Sequence, residues 1–414
     1  MDDSIVYASF DRVPAPKGAA VHIEAFVRAL GRAFAPVELF TLAPPADPAS
    51  GSVAAATSAP GWRHGPQGQR FCAGVTHYPV MVSGRNLIER AMHFETQMLA
   101  WWGRRRAAVA HVRSIYEGYA LARSKGRLCR GLVYEVNGLP SIELKYHHPA
   151  VAGDRELVAK LRAQEQTLLE AADLVLTPSA VTAAHLVERG VAPARLRVIP
   201  NGVDLDRFRY RAPAAPGPAG LRVLYSGTLT SWQGVGYAIE AVALYCRDHP
   251  ATLTVVGPGR SRQRRRILDE CQARGLGGAV EVRESMSQAE LAALHHEHDV
   301  ILAPLPPNDR NLVQGCCPLK IIEAMATGTP LVASDMPVVR DLAEDGRDAL
   351  LVKPGSAKAI KDALLRLGAD PALGQALSRA ARARVEQRFT WARAEEDLIE
   401  AYESVLGLRR RQAA

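Results

Sequence analysis

Short apolar runs alternate with amphipathic stretches along the whole chain. IVYASF (residues 5–10) is followed by HIEAFVRAL, and then come VELFTL, AAVAHV, GLVYEV, a polar stretch of helical period from Leu157 to Ala171, LVLTPS and LRVIP. The apolar runs are of strand length and the stretches between them repeat at helical spacing, which predicts a doubly wound parallel sheet. The pattern restarts after RAPAAPGPAG (Arg211 to Gly220) with LRVLYSG, GYAIEAVALYC, ATLTVVG, AVEVRES, LAALHHEHD, VILAPL, IIEAMATG, PLVAS and ALLVKPG. That Pro/Ala/Gly-rich stretch is the linker candidate. The reading divides the chain into a first domain over 1–203, a second over 204–388 and a final segment over 389–414. Within that segment RFTWARAEEDLIEAYESVLGL (Arg388 to Leu408) is an amphipathic helix expected to close the fold on the first domain. Right-handed crossovers put each sheet's crevice at the carboxyl ends of its strands, so two such domains hold a ligand between them.

Bulk properties narrow the classes. A chain of 414 residues exceeds one ordinary core, and 48% hydrophobic with 23% charged residues is a globular composition. No apolar run reaches the length of a membrane span, and Met1-Asp2-Asp3-Ser4 lacks a basic n-region, so a cytoplasmic protein is expected. Cys72, Cys129, Cys246, Cys271, Cys316 and Cys317 show neither zinc nor disulfide spacing and read as reduced thiols. A net charge of +8 favours anionic partners. Nucleic acid is the poorest of them, because no binding motif accompanies the charge and only 6% of residues are aromatic.

The segment with the most chemistry is VQGCCPLKIIEAMATGTPLVAS, residues 313–334. Pro318 suits the first turn of a helix and Gly328 its C-cap, and the N-terminus of that helix offers free N–H groups and a positive dipole end to a diphosphate. Lys320 and Glu323 stand three apart on one face, a cation for phosphate beside a carboxylate for sugar hydroxyls. An ordinary salt bridge on a core helix accounts for the same pair.

With IPNGVD (Ile199 to Asp204), the turn at Tyr225 to Leu229, VVGPG (Val255 to Gly259), EAMATGTPLVAS and the closing RFTWA helix in this order, the chain resembles the GT-B glycosyltransferases, specifically the retaining family 4. The resemblance implies two Rossmann-like domains facing a cleft, a nucleotide diphosphate sugar donor of UDP or GDP type, and retention of configuration. It implies neither metal nor cofactor. It places Glu323 on the nucleotide ribose, the helix start at Cys317, Pro318 and Leu319 on the diphosphate, Gly257 in the second-domain loop, and Gly18 in the first loop near the departing phosphate. The chain also departs from the family. The glutamate usual eight residues before Glu323 falls at Gly315, and the basic pair of the first loop in the second domain falls at Thr228 and Gln233. Lys320 is the leading replacement charge, with Arg310 and Arg260 behind it.

In the first domain, the resemblance puts His111, at a strand end, in the place of a family histidine whose ring or neighbouring backbone meets the donor sugar. Glu135 is the candidate for positioning or deprotonating an acceptor hydroxyl, a structural Glu–Arg or Glu–Lys pair being the alternative. Lys17 and His22 flank a helix start, where a cap or packing role competes with a functional one, and His147 and His148 read as surface residues. Asp204 and Asp206 mimic a metal-binding DxD, yet the resemblance assigns no metal there. Trp101 and Trp102 beside Arg104, Arg105 and Arg106 suggest contact with an anionic membrane, against a bland reading of core and solvated residues. The acceptor is left as a glycan, a lipid-linked sugar or a small molecule. A sugar-nucleotide epimerase and a non-catalytic binding subunit are the competing functions.

Overall fold

The computed structural model describes residues 4–15, 17–34, 36–44, 68–103 and 105–411. The first domain holds an eight-stranded sheet in the order β3-β4-β2-β1-β5-β6-β7-β8. Its strands are β1 (Ile5–Arg12), β2 (Val37–Leu42), β3 (Gln69–Cys72), β4 (Val75–Val80), β5 (Ala107–Val112), β6 (Cys129–Glu135), β7 (Leu174–Thr177) and β8 (Leu196–Val198). All pairings are parallel except β3 with β4. The second domain holds β9 (Leu221–Ser226), β10 (Ala251–Val256), β11 (Val280–Arg283), β12 (Val300–Ala303), β13 (Leu331–Ser334) and β14 (Leu350–Val352), in the order β11-β10-β9-β12-β13-β14. The central strands β2 and β5 are buried at every position, as expected of strands covered by helices on both faces.

Both sheets reverse their winding beside their first strand, between β1 and β5 and between β9 and β12. Such switch points open a crevice at the carboxyl ends of the flanking strands, and here the two crevices face each other. The chain crosses between domains twice, and the crossings pair: Val203 N–H donates to Phe389 O (2.9 Å) and Trp391 N–H to Val203 O (3.4 Å). Val203 and Phe208 belong to the core of the second domain, so the chain enters that domain well before the Pro/Ala/Gly-rich stretch ends. The closing helix is Trp391–Leu406, capped by Thr390, and it packs Leu398 and Tyr402 into the first domain, where Tyr402 stacks on Phe34. Among the described residues no helix is long and apolar enough to cross a membrane.

Trp102 is 1% exposed and lies in the core of the first domain, while Trp101 packs on Phe40 and Tyr78. Arg105 pairs with Glu38 at 2.8 Å and lies over the Trp101 ring. Of the two aromatic residues of the expected membrane patch, Trp102 is therefore a core residue and Trp101 is half-buried against the core, and Arg104 lies outside the described residues.

Candidate active site

A cavity of about 900 Å³ lies between the domains at the two switch points. Three helices aim their first turns into it: Gly18–Ala33 after β1, Ser261–Ala273 after β10, and Leu319–Thr327 after β12. The residues ahead of them are Lys17, Arg260 and Pro318, none of which accepts a capping hydrogen bond from the first turn. Helices pointing elsewhere carry acceptors there, among them Asn86, Ser114, Asp154, Ser179 and Ser287. First-turn N–H groups and aligned peptide dipoles make these helix starts electropositive.

Lys320 lies in the first turn of the third of these helices. It is 8% exposed, its Nζ has no hydrogen-bond partner, and it sits 4.7 Å over the Tyr225 ring. Burial pushes its ammonium down to about 7, and burial raises the Glu323 carboxyl to about 7. The two are not ion-paired, and Glu323 Oε1 instead accepts from Gln288 Nε2 at 3.3 Å. Around Lys320 the wall adds four more buried polar atoms without partners: Ser226 Oγ, Thr230 Oγ1, Trp232 Nε1 and Gln233 Oε1. Buried polar groups are almost always satisfied, so five orphans on one cavity wall mark a surface suited to a polar ligand.

Gly18, Thr228, Gln233, Gly257, Arg260, Cys317, Pro318, Leu319, Lys320 and Glu323 all line the cavity, as does His147. Gly18 meets the start of the Leu319 helix so closely that a Cβ there would lie 2.9 Å from Leu319 Cδ1. Arg310 also lines it, but its guanidinium is committed, lying 3.9 Å over the Trp232 ring with Nε donating to Glu143 Oε1 at 3.0 Å. Gly315 has φ +79, and a Cβ there would fall 2.7 Å from both Ser179 Oγ and Thr182 Oγ1 across the domain boundary. The segment approaches the first domain too closely for any side chain.

Two expected residues are placed otherwise. His111 is wholly buried and does not line the cavity: its Nδ1 meets Tyr402 Oη at 2.6 Å and its Nε2 meets Glu135 Oε2 at 2.9 Å. Its ring is turned away from the cavity, which the nearby Arg113 does line. Glu135 is 2% exposed, likewise absent from the lining, and accepts from Tyr7 Oη (2.8 Å), Arg113 Nε (3.0 Å) and Asn137 Nδ2. Burial alone would raise its carboxyl, but His22, Arg113 and His111 outweigh burial and hold it well below the usual carboxylate range. A carboxylate so clamped is a poor proton acceptor, and it is turned away from the cavity. The residues of this network that reach the cavity are Arg113, Asn137 and His22. Arg113 also donates to Ala19 O at 3.4 Å, bracing the first turn of the Gly18 helix. Asp204, the supposed metal ligand, accepts from the backbone N–H groups of Asp206 and Arg207 and organises a turn.

The family model described as "Glycosyltransferase Family 4" matches residues 16–207, and that described as "Glycosyl transferases group 1" matches residues 220–370. A glycogen synthase of Mycobacterium tuberculosis is 31% identical over 260 residues, covering 62% of this chain and 59% of the relative. A D-inositol 3-phosphate glycosyltransferase of Saccharomonospora viridis is 30% identical over 258 residues, covering 59% and 58%. These matches thus span about three fifths of the relatives' length. Among solved structures, a sucrose-phosphate synthase from Thermosynechococcus elongatus superposes with a TM-score of 0.79 at 22% identity, covering 98% of this chain and 99% of that one. The Anabaena HepE protein in complex with UDP-glucose gives 0.69 at 16% identity, covering 97% and 99%. At such identities the structural likeness speaks for the fold alone. One family model on each domain, over the GT-B arrangement of two facing sheets, establishes that the chain belongs to the glycosyltransferases of group 1 and family 4.

Proposed function

We propose that the protein is a glycosyltransferase that binds a nucleoside diphosphate sugar in the cleft and transfers the sugar, with retention and without a metal ion, to an acceptor approaching from the first domain. The observation that carries the reading is the unpartnered ammonium of Lys320 at the N-terminus of the Leu319–Thr327 helix, among four further orphan polar atoms. A diphosphate is the ligand that satisfies an ammonium and uncapped N–H groups together. Glu323, one turn further along the same helix, lines the same cavity, which supports a role in accepting from ribose hydroxyls.

Chemically, the leaving diphosphate gains charge as the glycosidic bond breaks. Lys320 and the helix N-terminus therefore stabilise the transition state more than the bound donor. With Thr228 and Gln233 neutral, this charge stands in for the basic pair usual in the family. The names of the relatives support a sugar donor, and the HepE complex with UDP-glucose supports its nucleotide form. The test needs no acceptor: given donor alone, the enzyme releases its sugar slowly to water, and proton NMR of the nascent sugar shows the donor's own anomer. Appearance of the opposite anomer rejects retention, and a new sugar isomer still attached to the nucleotide rejects transfer.

A further inference from the structure

Glu323 lines the cavity from the Leu319–Thr327 helix and is 5% exposed. Among the described residues its carboxyl receives one hydrogen bond, at Oε1 from Gln288 Nε2 (3.3 Å), and Oε2 receives none. The carboxyl is thus held at one oxygen and keeps the other for a ligand. Gln288 lines the cavity too, as the first residue of the helix Gln288–His296. The start of that helix is fixed by Ser287, whose hydroxyl accepts from the Glu290 N–H while the Glu290 carboxyl accepts from the Ser287 N–H at 2.7 Å. Its far end is pinned to the end of the Glu323 helix: His295 Nδ1 lies 3.2 Å from Thr327 Oγ1, and Thr329 Oγ1 donates to His295 O at 3.0 Å.

An amide can turn either end towards a carboxyl, so the direction of Gln288 has to be fixed from outside the pair. Arg207 fixes it. Its Nη1 donates to Gln288 Oε1 at 3.1 Å, and a guanidinium has no acceptor, so the oxygen of the amide faces Arg207 and its NH₂ faces Glu323. Arg207 belongs to NGVDLDRF, the stretch that carries the chain from one domain to the other. It is presented by the turn at Asp204, whose Oδ1 accepts from the N–H groups of Asp206 and Arg207 and whose Oδ2 lies 3.8 Å from Arg207 Nη2. Asp204, which mimics part of a metal motif, therefore heads a relay, Asp204–Arg207–Gln288–Glu323, that ends on the cavity wall.

We infer that Gln288 is a positioning residue for the donor: oriented by Arg207, it holds Glu323 Oε1 so that Oε2 accepts from a ribose hydroxyl, and the cleft thereby prefers ribonucleotides to their deoxy forms. The inference rests on the reading above of Glu323 as the ribose carboxylate. A ribose contact is made alike in the bound donor and the transition state, so the relay serves donor affinity and leaves the chemical step alone.

The test is calorimetric titration of UDP and GDP, each with its 2′-deoxy and 3′-deoxy forms, into the wild type, Gln288→Leu, Gln288→Glu and Arg207→Met. A hydrogen bond to a charged group should make the wild type bind the ribonucleotide about tenfold or more tighter than at least one deoxy form. In Gln288→Leu that preference should shrink to about threefold or less, through weaker binding of the ribonucleotide. Gln288→Glu keeps the shape of the side chain and its acceptor for Arg207 but has no N–H for Glu323. It should lose the preference as fully, and retention of the wild-type ratio overturns the role given to the amide. Arg207→Met, at a side chain 46% exposed, should lose part of the preference, which decides the matter should a Gln288 variant not fold. In hydrolysis of the donor, Gln288→Leu should raise KM about tenfold with kcat within about threefold, and a loss confined to kcat overturns the inference. Equal binding of ribo and deoxy forms by the wild type overturns it as well while leaving the diphosphate reading in place, whereas a wild type that binds neither base series removes both.

Discussion

Replacing Lys320 by methionine should make the empty protein more stable and its nucleotide response smaller. In the folded protein burial brings the ammonium down to about 7, whereas an unfolded lysine titrates near 10.5. At pH 7 the shift costs the folded state about 4–5 kcal/mol, from 1.36 kcal/mol for each of about 3.5 pKa units. Part of this returns when the ammonium leaves, because Lys320 also favours the Glu323 carboxylate. A net gain of about 1–2 kcal/mol follows, a rise in Tm of about 2–8 °C for a domain of this size. Between pH 7 and 10.5 the unfolded chain binds the extra proton, so the Lys320 contribution makes wild-type stability rise with pH across that window. Glu323, raised to about 7, binds its proton in the folded state. Its contribution therefore falls as pH climbs from 4.5 to 7. The methionine variant should lose the upper window. A nucleoside diphosphate sugar at a hundred times its Kd should add about 2.7 kcal/mol to the wild type, and loss of a charge-assisted contact of about 1.5–3 kcal/mol should remove most of that at the same concentration. Differential scanning calorimetry with and without donor measures both effects. A variant that is less stable than the wild type yet keeps the full donor shift refutes the reasoning.

Gly315→Ala should destabilise the closed arrangement of the domains by about 1–3 kcal/mol through its positive φ and its contact with Ser179 and Thr182, read as a lower denaturation midpoint. Gly315→Glu, which writes the family's carboxylate back in, should for the same reason lower activity, and a gain in rate would contradict the geometry. Trp102→Ala should cost about 3–5 kcal/mol as a core cavity while leaving association with anionic vesicles unchanged; loss of vesicle binding at normal stability would reverse that assignment. Turnover should persist in EDTA, because charge on the leaving group is assigned to Lys320 and helix N-termini. Strict dependence on added Mg²⁺ or Mn²⁺ would contradict that.

Both sheets were legible in the sequence because parallel strands buried on two faces leave continuous apolar runs. The hairpin of β3 and β4 was not, since β3 is an edge strand, QRFC, with no fully buried residue. The helices Ala357–Ala369 and Pro371–Arg388 also escaped notice, lying between the last strand and the closing helix. In the site, the second-domain residues were readable because they are local: a strand, a turn and a helix start follow one another in the chain. The first-domain network was not, because periodicity locates His111 and Glu135 near strand ends without telling that their side chains turn into the protein. Their partners come from afar, with Tyr402 291 residues from His111 and Tyr7 128 residues from Glu135. His22 reads as a helix-start residue, and only the fold brings Asn201 beside its ring.

Calorimetric titration of the purified protein with UDP-, GDP-, ADP- and dTDP-sugars, alongside the matching nucleoside mono- and diphosphates, tests the central claim most directly. One base series should bind saturably, with the diphosphate at least about tenfold tighter than the monophosphate, and Lys320→Met should shrink that ratio. A folded protein that binds none of them, or that binds mono- and diphosphate equally, would contradict the assignment of the Lys320 cleft to a donor diphosphate.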